Sequence, residues 1–248
     1  MNPGPELSGA SETLVDAIAD RARIARERIA DAGGDPELVK IVAVTKGFGA
    51  DEVAAAYLAG LRDFGENYAD ELLAKWGTLG HAASWHFLGA VQRNKVGRLA
   101  QFVDCWQAVA RVVEGEAILR HRSQPPRGQA PPGDPGGGEL GPASLLVEVD
   151  TTGLEGRGGC APGEVPEVVA GLRALGCSVD GLMTVAPAGD ANLARRAFDE
   201  VARLRDNLGL VELSMGMSGD LEQAVAAGAT MVRLGTALFG TRPQRRRL

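Results

Sequence analysis

Lysine is scarce in this chain. Of 248 residues only Lys40, Lys46, Lys75 and Lys95 are lysines, against 22 arginines, so each primary amine stands out. Apolar runs are short, and none reaches the roughly 20 residues that a membrane-crossing helix needs. Three cysteines, Cys105, Cys160 and Cys177, are too few and too widely spaced for a disulfide framework or a zinc motif. Cys105 and Cys177 lie in or beside apolar stretches and read as packing residues. Charge of one sign is not in excess. A net charge of −6 and a pI of about 5.2 give no electrostatic case for nucleic acid or an anionic membrane. Residues 1–11 are rich in Pro, Gly and Ser and carry no apolar signal-peptide core. These absences set the expectation of a soluble, cytoplasmic protein in a reducing setting. The run Arg245-Arg246-Arg247 reads as a solvated tail.

What is present is alternation. An apolar stripe of Leu14, Ile18, Ala22, Ala25 and Ile29 predicts a first helix over Thr13–Asp31, stopped by Gly33-Gly34. Strand-like runs follow at Ile41–Thr45, Arg62–Gly65, Ser84–Leu88, Phe102–Trp106, Ser144–Val149, Val179–Thr184, Glu212–Met215 and Met231–Leu234. Helical patterns fall between them, at Asp51–Leu61, Ala69–Trp76, Gln92–Ala100, Val109–Arg120, Pro166–Leu175, Asn192–Leu208 and Asp220–Ala227. Eight strands alternating with helices predict an α/β fold, a single (β/α)8 TIM barrel. A doubly wound sheet is the rival, weakened because no Rossmann glycine fingerprint follows the first strand. From Ser123 to Pro142, twelve of twenty residues are Pro or Gly. That segment is expected to be a disordered insertion within one domain, on the bottom face of the barrel. The expected organisation is a disordered N-terminus over residues 1–12, a barrel over 13–242 and a basic tail over 243–248.

In such a barrel the chemistry collects at the C-terminal ends of the strands. Lys46 caps the run Ile41-Val42-Ala43-Val44-Thr45 and precedes Gly47. On position alone it reads as a lysine that snorkels to water. An amine there can also form a Schiff base, which a guanidinium cannot. Glu66-Asn67-Tyr68 follows the second strand, and His86 lies in the third. Ser214 to Ser218 closes the seventh strand, and Arg233 to Thr236 closes the eighth. The last two loops are where these barrels often hold phosphate. Gly216 and Gly235 permit close backbone approach, and Ser218 and Thr236 offer hydroxyls. Ser218 reads equally well as the N-cap of the helix that begins near Asp220. A Schiff-base lysine opposite a phosphate cradle fits pyridoxal 5′-phosphate or a phosphosugar. Arg233, two residues before Gly235, points to the same interior and needs a partner. That partner is the pyridine nitrogen of pyridoxal phosphate, which Arg would keep unprotonated, or a carboxylate from Asp150 or Glu148.

Six ordered motifs carry a family resemblance. They are Val44-Thr45-Lys46, Phe64 to Tyr68, Trp85 to Gly89 with Gln92 and Asn94-Lys95, Gly181-Leu182-Met183, Leu213 to Ser218, and Val232 to Thr236. From about Ile41 to Arg242 the chain resembles the pyridoxal phosphate homeostasis protein family, which is similar to the N-terminal barrel of alanine racemase (fold type III). The resemblance implies that Lys46 carries pyridoxal phosphate as an internal aldimine. It implies Ser218, Gly235 and Thr236 at the phosphate with Met215 nearby, Arg233 at the pyridine nitrogen, and Asn67 and His86 close to the cofactor. It departs from the family at the long insertion and at Ala90-Val91.

Two functions compete. A racemase of this fold needs a second base, in alanine racemase a tyrosine from a second domain. This chain ends at Leu248 and has only Tyr57, in a helical pattern, and Tyr68. The expectation is therefore a binding protein that stores, buffers or delivers the cofactor, without an established reaction. Apo pyridoxal phosphate enzymes are its expected recipients and a monomer its expected state. A racemase of low activity is the alternative, and a phosphosugar aldolase ranks far behind.

Overall fold

The computed structural model describes residues 10–124 and 141–241. Residues 1–9 of the expected N-terminus, the basic tail and most of the Pro/Gly insertion lie outside the described residues; Ser11, expected to be disordered, instead caps the first helix, which Glu12 begins. Eight parallel strands close a barrel in sequence order, β1 pairing with both β2 and β8. They are β1 (Lys40–Val44), β2 (Asp63–Glu66), β3 (Ser84–Phe87), β4 (Cys105–Val109), β5 (Ser144–Val149), β6 (Ser178–Thr184), β7 (Glu212–Ser214) and β8 (Met231–Leu234). The helices are α1 (Glu12–Asp31), α2 (Ala50–Leu58), α3 (Ala69–Leu79), α4 (Arg93–Leu99), α5 (Val112–Arg122), α6 (Val165–Ala174), α7 (Ala191–Asn207), α8 (Leu221–Ala226) and α9 (Thr236–Phe239).

The strands divide their side chains between two cores, as the period of two demands. Outward residues such as Phe64, Trp85, Trp106 and Val232 pack under the helices in one continuous apolar layer. Inward residues Val42, Cys105, Leu146, Met183 and Met231 form a small apolar plug inside the barrel. The rest of the interior is polar, and that polarity positions the site.

β4 is found at Cys105–Val109 rather than at the predicted Phe102–Trp106. The N–H groups of Phe102 and Val103 donate to Leu99 O, so these two residues finish the turn that ends α4. Both are buried, and burial alone made them look like strand. α5 accordingly starts at Val112, three residues after its predicted start. Below the barrel, the Arg122 side chain at the end of α5 donates to Gly141 O at 3.1 Å. The flanks of the insertion are thus a helix C-terminus and the approach to a strand N-terminus.

α9 is a single turn, too short to cover the seam between β8 and β1. α1 covers it from the other end of the chain. Its apolar stripe, Ile18, Ala22, Ala25 and Ile29, joins the outer core. Arg21 Nη1 donates to Leu238 O at 3.1 Å, and Arg28 holds Glu222 of α8 through Nε at 2.6 Å and Nη2 at 3.0 Å.

Candidate functional site

Lys46 is half-buried, two residues past the end of β1. The backbone on both sides of it is tied to one buried charge cluster. Lys75 Nζ, on α3, donates to Thr45 O at 2.7 Å, to Glu66 Oε1 at 2.5 Å and to Glu71 Oε2 at 3.2 Å. The Thr45 hydroxyl donates to Glu66 Oε1 at 2.6 Å, and Gly47 N–H donates to Glu71 Oε2 at 2.7 Å. Glu66 is fully buried and Lys75 nearly so. Burial is the largest influence on the Glu66 carboxyl and raises its pKa, while Lys75 and Thr45 pull it down. The strand tip that presents Lys46 is therefore clamped from behind. Neither Lys75 nor Glu71 stands out in the sequence, because each looks like an exposed charge on an amphipathic helix.

The loops after β7 and β8 converge as predicted. Ser218 Oγ lies 3.3 Å from Thr236 Oγ1 and accepts the Ala237 N–H at 3.3 Å. The N-cap of α8 is Asp220, not Ser218. Asp220 Oδ1 accepts the Met217 N–H at 2.6 Å and closes the loop, which leaves the Ser218 hydroxyl turned toward β8. Gly216 has φ +91°, and a Cβ there would sit 2.5 Å from Ala224 Cβ, so glycine lets this loop lie on α8. At Gly235 a Cβ would come 3.4 Å from Val44 O. The phosphate-type loops thus stand against the end of β1, the strand that carries Lys46.

Arg233 is buried inside the barrel, beside Val42 of β1 in the strand register. Its guanidinium donates from Nη1 to Ser214 Oγ at 2.8 Å and from Nη2 to Thr184 O at 2.7 Å. Its hydrogen bonds thus go to Ser214 and Thr184 and not to Asp150 or Glu148. Burial pushes its pKa down to about 10, with Asp220 and Glu148 opposing at longer range. It stays a cation at neutral pH.

The two other residues expected near the cofactor, Met215 and His86, have different surroundings. Met215 is fully buried in the layer under the helices, so its side chain packs the outer core. His86 sits deeper in the barrel. Its Nε2 lies 3.0 Å from Asp63 Oδ1 at the start of β2, and its Nδ1 lies 2.7 Å from Gln107 Nε2. Gln107 and Ser214 stand between His86 and Arg233, since Ser214 Oγ donates to Gln107 Oε1 at 2.6 Å. Gln107, on β4, is a residue that sequence reasoning missed. The misplaced strand boundary put it outside β4 and hid its inward direction.

Asn67 follows β2 and has a buried Oδ1 with no hydrogen-bond partner. Gly89 presses on it: a Cβ there would sit 2.2 Å from Asn67 O. Asn67 lines a cavity of about 330 Å³ with Tyr68, Gln92, Lys95 and Trp106. A larger cavity of about 630 Å³ opens over β4 and β5, where Glu148, Arg111, Arg157 and Cys160 meet. Burial raises the Glu148 pKa, and Arg233 opposes it. No cluster of metal-ligating side chains is found among the described residues.

The family described as alanine racemase, N-terminal domain, matches residues 15–243. A relative from Pseudomonas aeruginosa named pyridoxal phosphate homeostasis protein is 38% identical over 238 residues, covering 93% of this chain and 96% of its own. The protein of that name from Deinococcus radiodurans is 39% identical and covers 86% of this chain and 95% of its own. Among solved structures, PipY from Synechococcus elongatus with PLP bound is 32% identical, with a TM-score of 0.67, over 87% of this chain and 100% of that one. Alanine racemase from Bartonella henselae, 16% identical at a TM-score of 0.67, covers 94% of this chain and 61% of that one and shares the fold. A barrel built this way, matched along nearly its whole length, belongs to the alanine racemase N-terminal-domain family and, within it, to the pyridoxal phosphate homeostasis proteins.

Proposed function

We propose that this chain binds pyridoxal 5′-phosphate on the Lys46 amine and serves its homeostasis, storing, buffering or handing on the cofactor. The observation that carries the reading is the meeting of three features at one end of the barrel. Lys46 is clamped at the tip of β1, the Ser218 and Thr236 hydroxyls lie 3.3 Å apart across two loops, and Gly235 stands against Val44 O. The group supplies an aldehyde that condenses reversibly with an amine and releases water. Ser218, Gly235 and Thr236 offer the phosphate its hydroxyls and a close backbone. Arg233 has only donors, so it suits an unprotonated ring nitrogen. Asn67 Oδ1 is a further polar group without a partner in the described residues. His86 and Met215 act from behind the site.

The names of the relatives support homeostasis over turnover, and the PLP-bound relative at 32% identity supports the ligand. Apo pyridoxal phosphate enzymes as recipients and a monomeric, cytoplasmic carrier complete the proposal. Its test is optical. Adding pyridoxal phosphate to the purified protein is expected to give a visible absorption band that Lys46→Ala loses. The band is then expected to decay as an added apo-enzyme gains activity. A protein that takes up no cofactor contradicts the binding reading. Deuterium exchange at the α-carbon of free amino acids, turning over many times per protein, contradicts the carrier reading.

A further inference from the structure

Gln92 and Lys95 belong to a sequence motif that has no part in the Lys46 site, yet both line one cavity of about 330 Å³. That cavity lies outside the barrel wall, between β3 and β4 and the first turns of α3 and α4. Its wall is apolar. Phe87 and Trp106 point outward from neighbouring strands with their ring centres 5.4 Å apart, and Leu99 adds the α4 side. Trp106 is 0% exposed, and its Nε1–H has no acceptor among the described residues. A buried donor left without a partner is costly, so it marks a place where a partner is missing.

Further donors gather at the same cavity. Tyr68 and Ala69, the N-cap and first residue of α3, line it, and α3 has no side-chain cap for its first N–H groups. The acidic side chains of that first turn are engaged elsewhere. Asp70 Oδ1 accepts from Arg98 at 2.8 Å, and Glu71 Oε2 accepts from Gly47 N–H and Lys75. Lys95 is exposed at the rim and makes no ion pair among the described residues. No Asp, Glu or Arg lines the cavity, so Lys95 is its one charged residue. Against these donors stands one buried acceptor without a partner, Asn67 Oδ1.

We propose that this cavity binds a free α-amino acid with an apolar side chain, at a site separate from the Lys46 amine. The carboxylate takes the donors: the Lys95 ammonium, the uncapped start of α3 and the Trp106 indole N–H. The α-ammonium donates to Asn67 Oδ1. Phe87, Leu99 and Trp106 surround the side chain, as an apolar wall with a few polar groups does in a small-molecule site. One lysine and no arginine balance a single negative charge, which suits a carboxylate better than a phosphate dianion. The proposal does not depend on the cofactor reading above, because the cavity lies on the outer side of the strands.

The test uses the indole N–H signals of the nitrogen-15-labelled full chain, stripped of any cofactor. There are three tryptophans, Trp76, Trp85 and Trp106. Trp85 Nε1 already donates to Gly80 O at 3.0 Å and serves as the internal control. Leucine is the probe, set against 4-methylpentanoate, which lacks its amine, 3-methylbutylamine, which lacks its carboxylate, and inorganic phosphate. The expected result is a saturable shift of the Trp106 signal with leucine, with Trp85 still and each of the other three probes clearly weaker. Lys95→Met, an exposed change that leaves the core intact, is expected to weaken leucine binding about tenfold or more, as the loss of a charge-assisted hydrogen bond does. Lys46→Ala is expected to bind leucine as the wild type does. A Trp106 signal that leucine does not move overturns the proposal, as does leucine affinity unchanged by Lys95→Met. Equal binding of 4-methylpentanoate or of phosphate overturns the amino-acid assignment. Loss of leucine binding in Lys46→Ala would place the ligand at the Lys46 amine and contradict a separate site.

Discussion

At the scale of single residues, Lys75 decides how Lys46 is presented. It is almost fully buried, and its ammonium binds a backbone carbonyl next to Lys46 and two carboxylates. Lys75→Met keeps the volume and removes the charge, which leaves Glu66 buried without its partner. The expected loss is about 3–5 kcal/mol, the range for breaking one side of a buried ion pair. The loss should depend on pH. With Lys75 gone, only the Thr45 hydroxyl opposes the rise that burial gives the Glu66 pKa, so the folded state binds that proton more tightly than the unfolded chain. Stability then falls as pH rises from the ordinary carboxylate range toward neutrality. Urea unfolding at pH 5 and pH 8 checks this, and a pH-independent loss would count against a charged Glu66. None of this was visible in the sequence. Lys46 could be singled out because a lysine at a strand tip before a glycine is unusual. Lys75 on a helix is ordinary until its surroundings are known.

At the scale of elements, the loop between β7 and α8 shows what periodicity reads and what it leaves out. Position in the chain marks Ser214 to Ser218 as a site loop, but it gives only half the reason for Gly216. The glycine is required by a positive φ and by contact with Ala224 on α8. Gly216→Ala is therefore expected to cost about 1–3 kcal/mol, as overpacking does, and to weaken cofactor binding by moving Ser218. Denaturation and absorption titrations of the same variant measure both. Full affinity in a destabilised variant would show that the loop's position does not set the phosphate contact. β4 is the opposite case. Its apolar run merges with the end of α4, and no pattern in the residues separates strand from helix turn. The three-residue shift of both its bounds was enough to hide Gln107, and with it the interior chain.

At the scale of the molecule, closure matters most. β1 and β8 pair although they stand at opposite ends of the chain, and α1 seals the seam that the single turn α9 leaves open. This brings Lys46 from the first strand to the loops of the seventh and eighth. The alternation of strands and helices announced the barrel, and barrel closure brings the distant motifs to one end of it. The central claim is that Lys46 is the covalent anchor for pyridoxal phosphate, and the chain's shortage of lysine makes the test discrete. The protein is loaded with pyridoxal phosphate, reduced with borohydride, digested, and mapped by mass spectrometry. The phosphopyridoxyl mass is predicted on the peptide that contains Lys46. Its appearance instead on Lys40, Lys75 or Lys95, with Lys46 unmodified, would contradict the account.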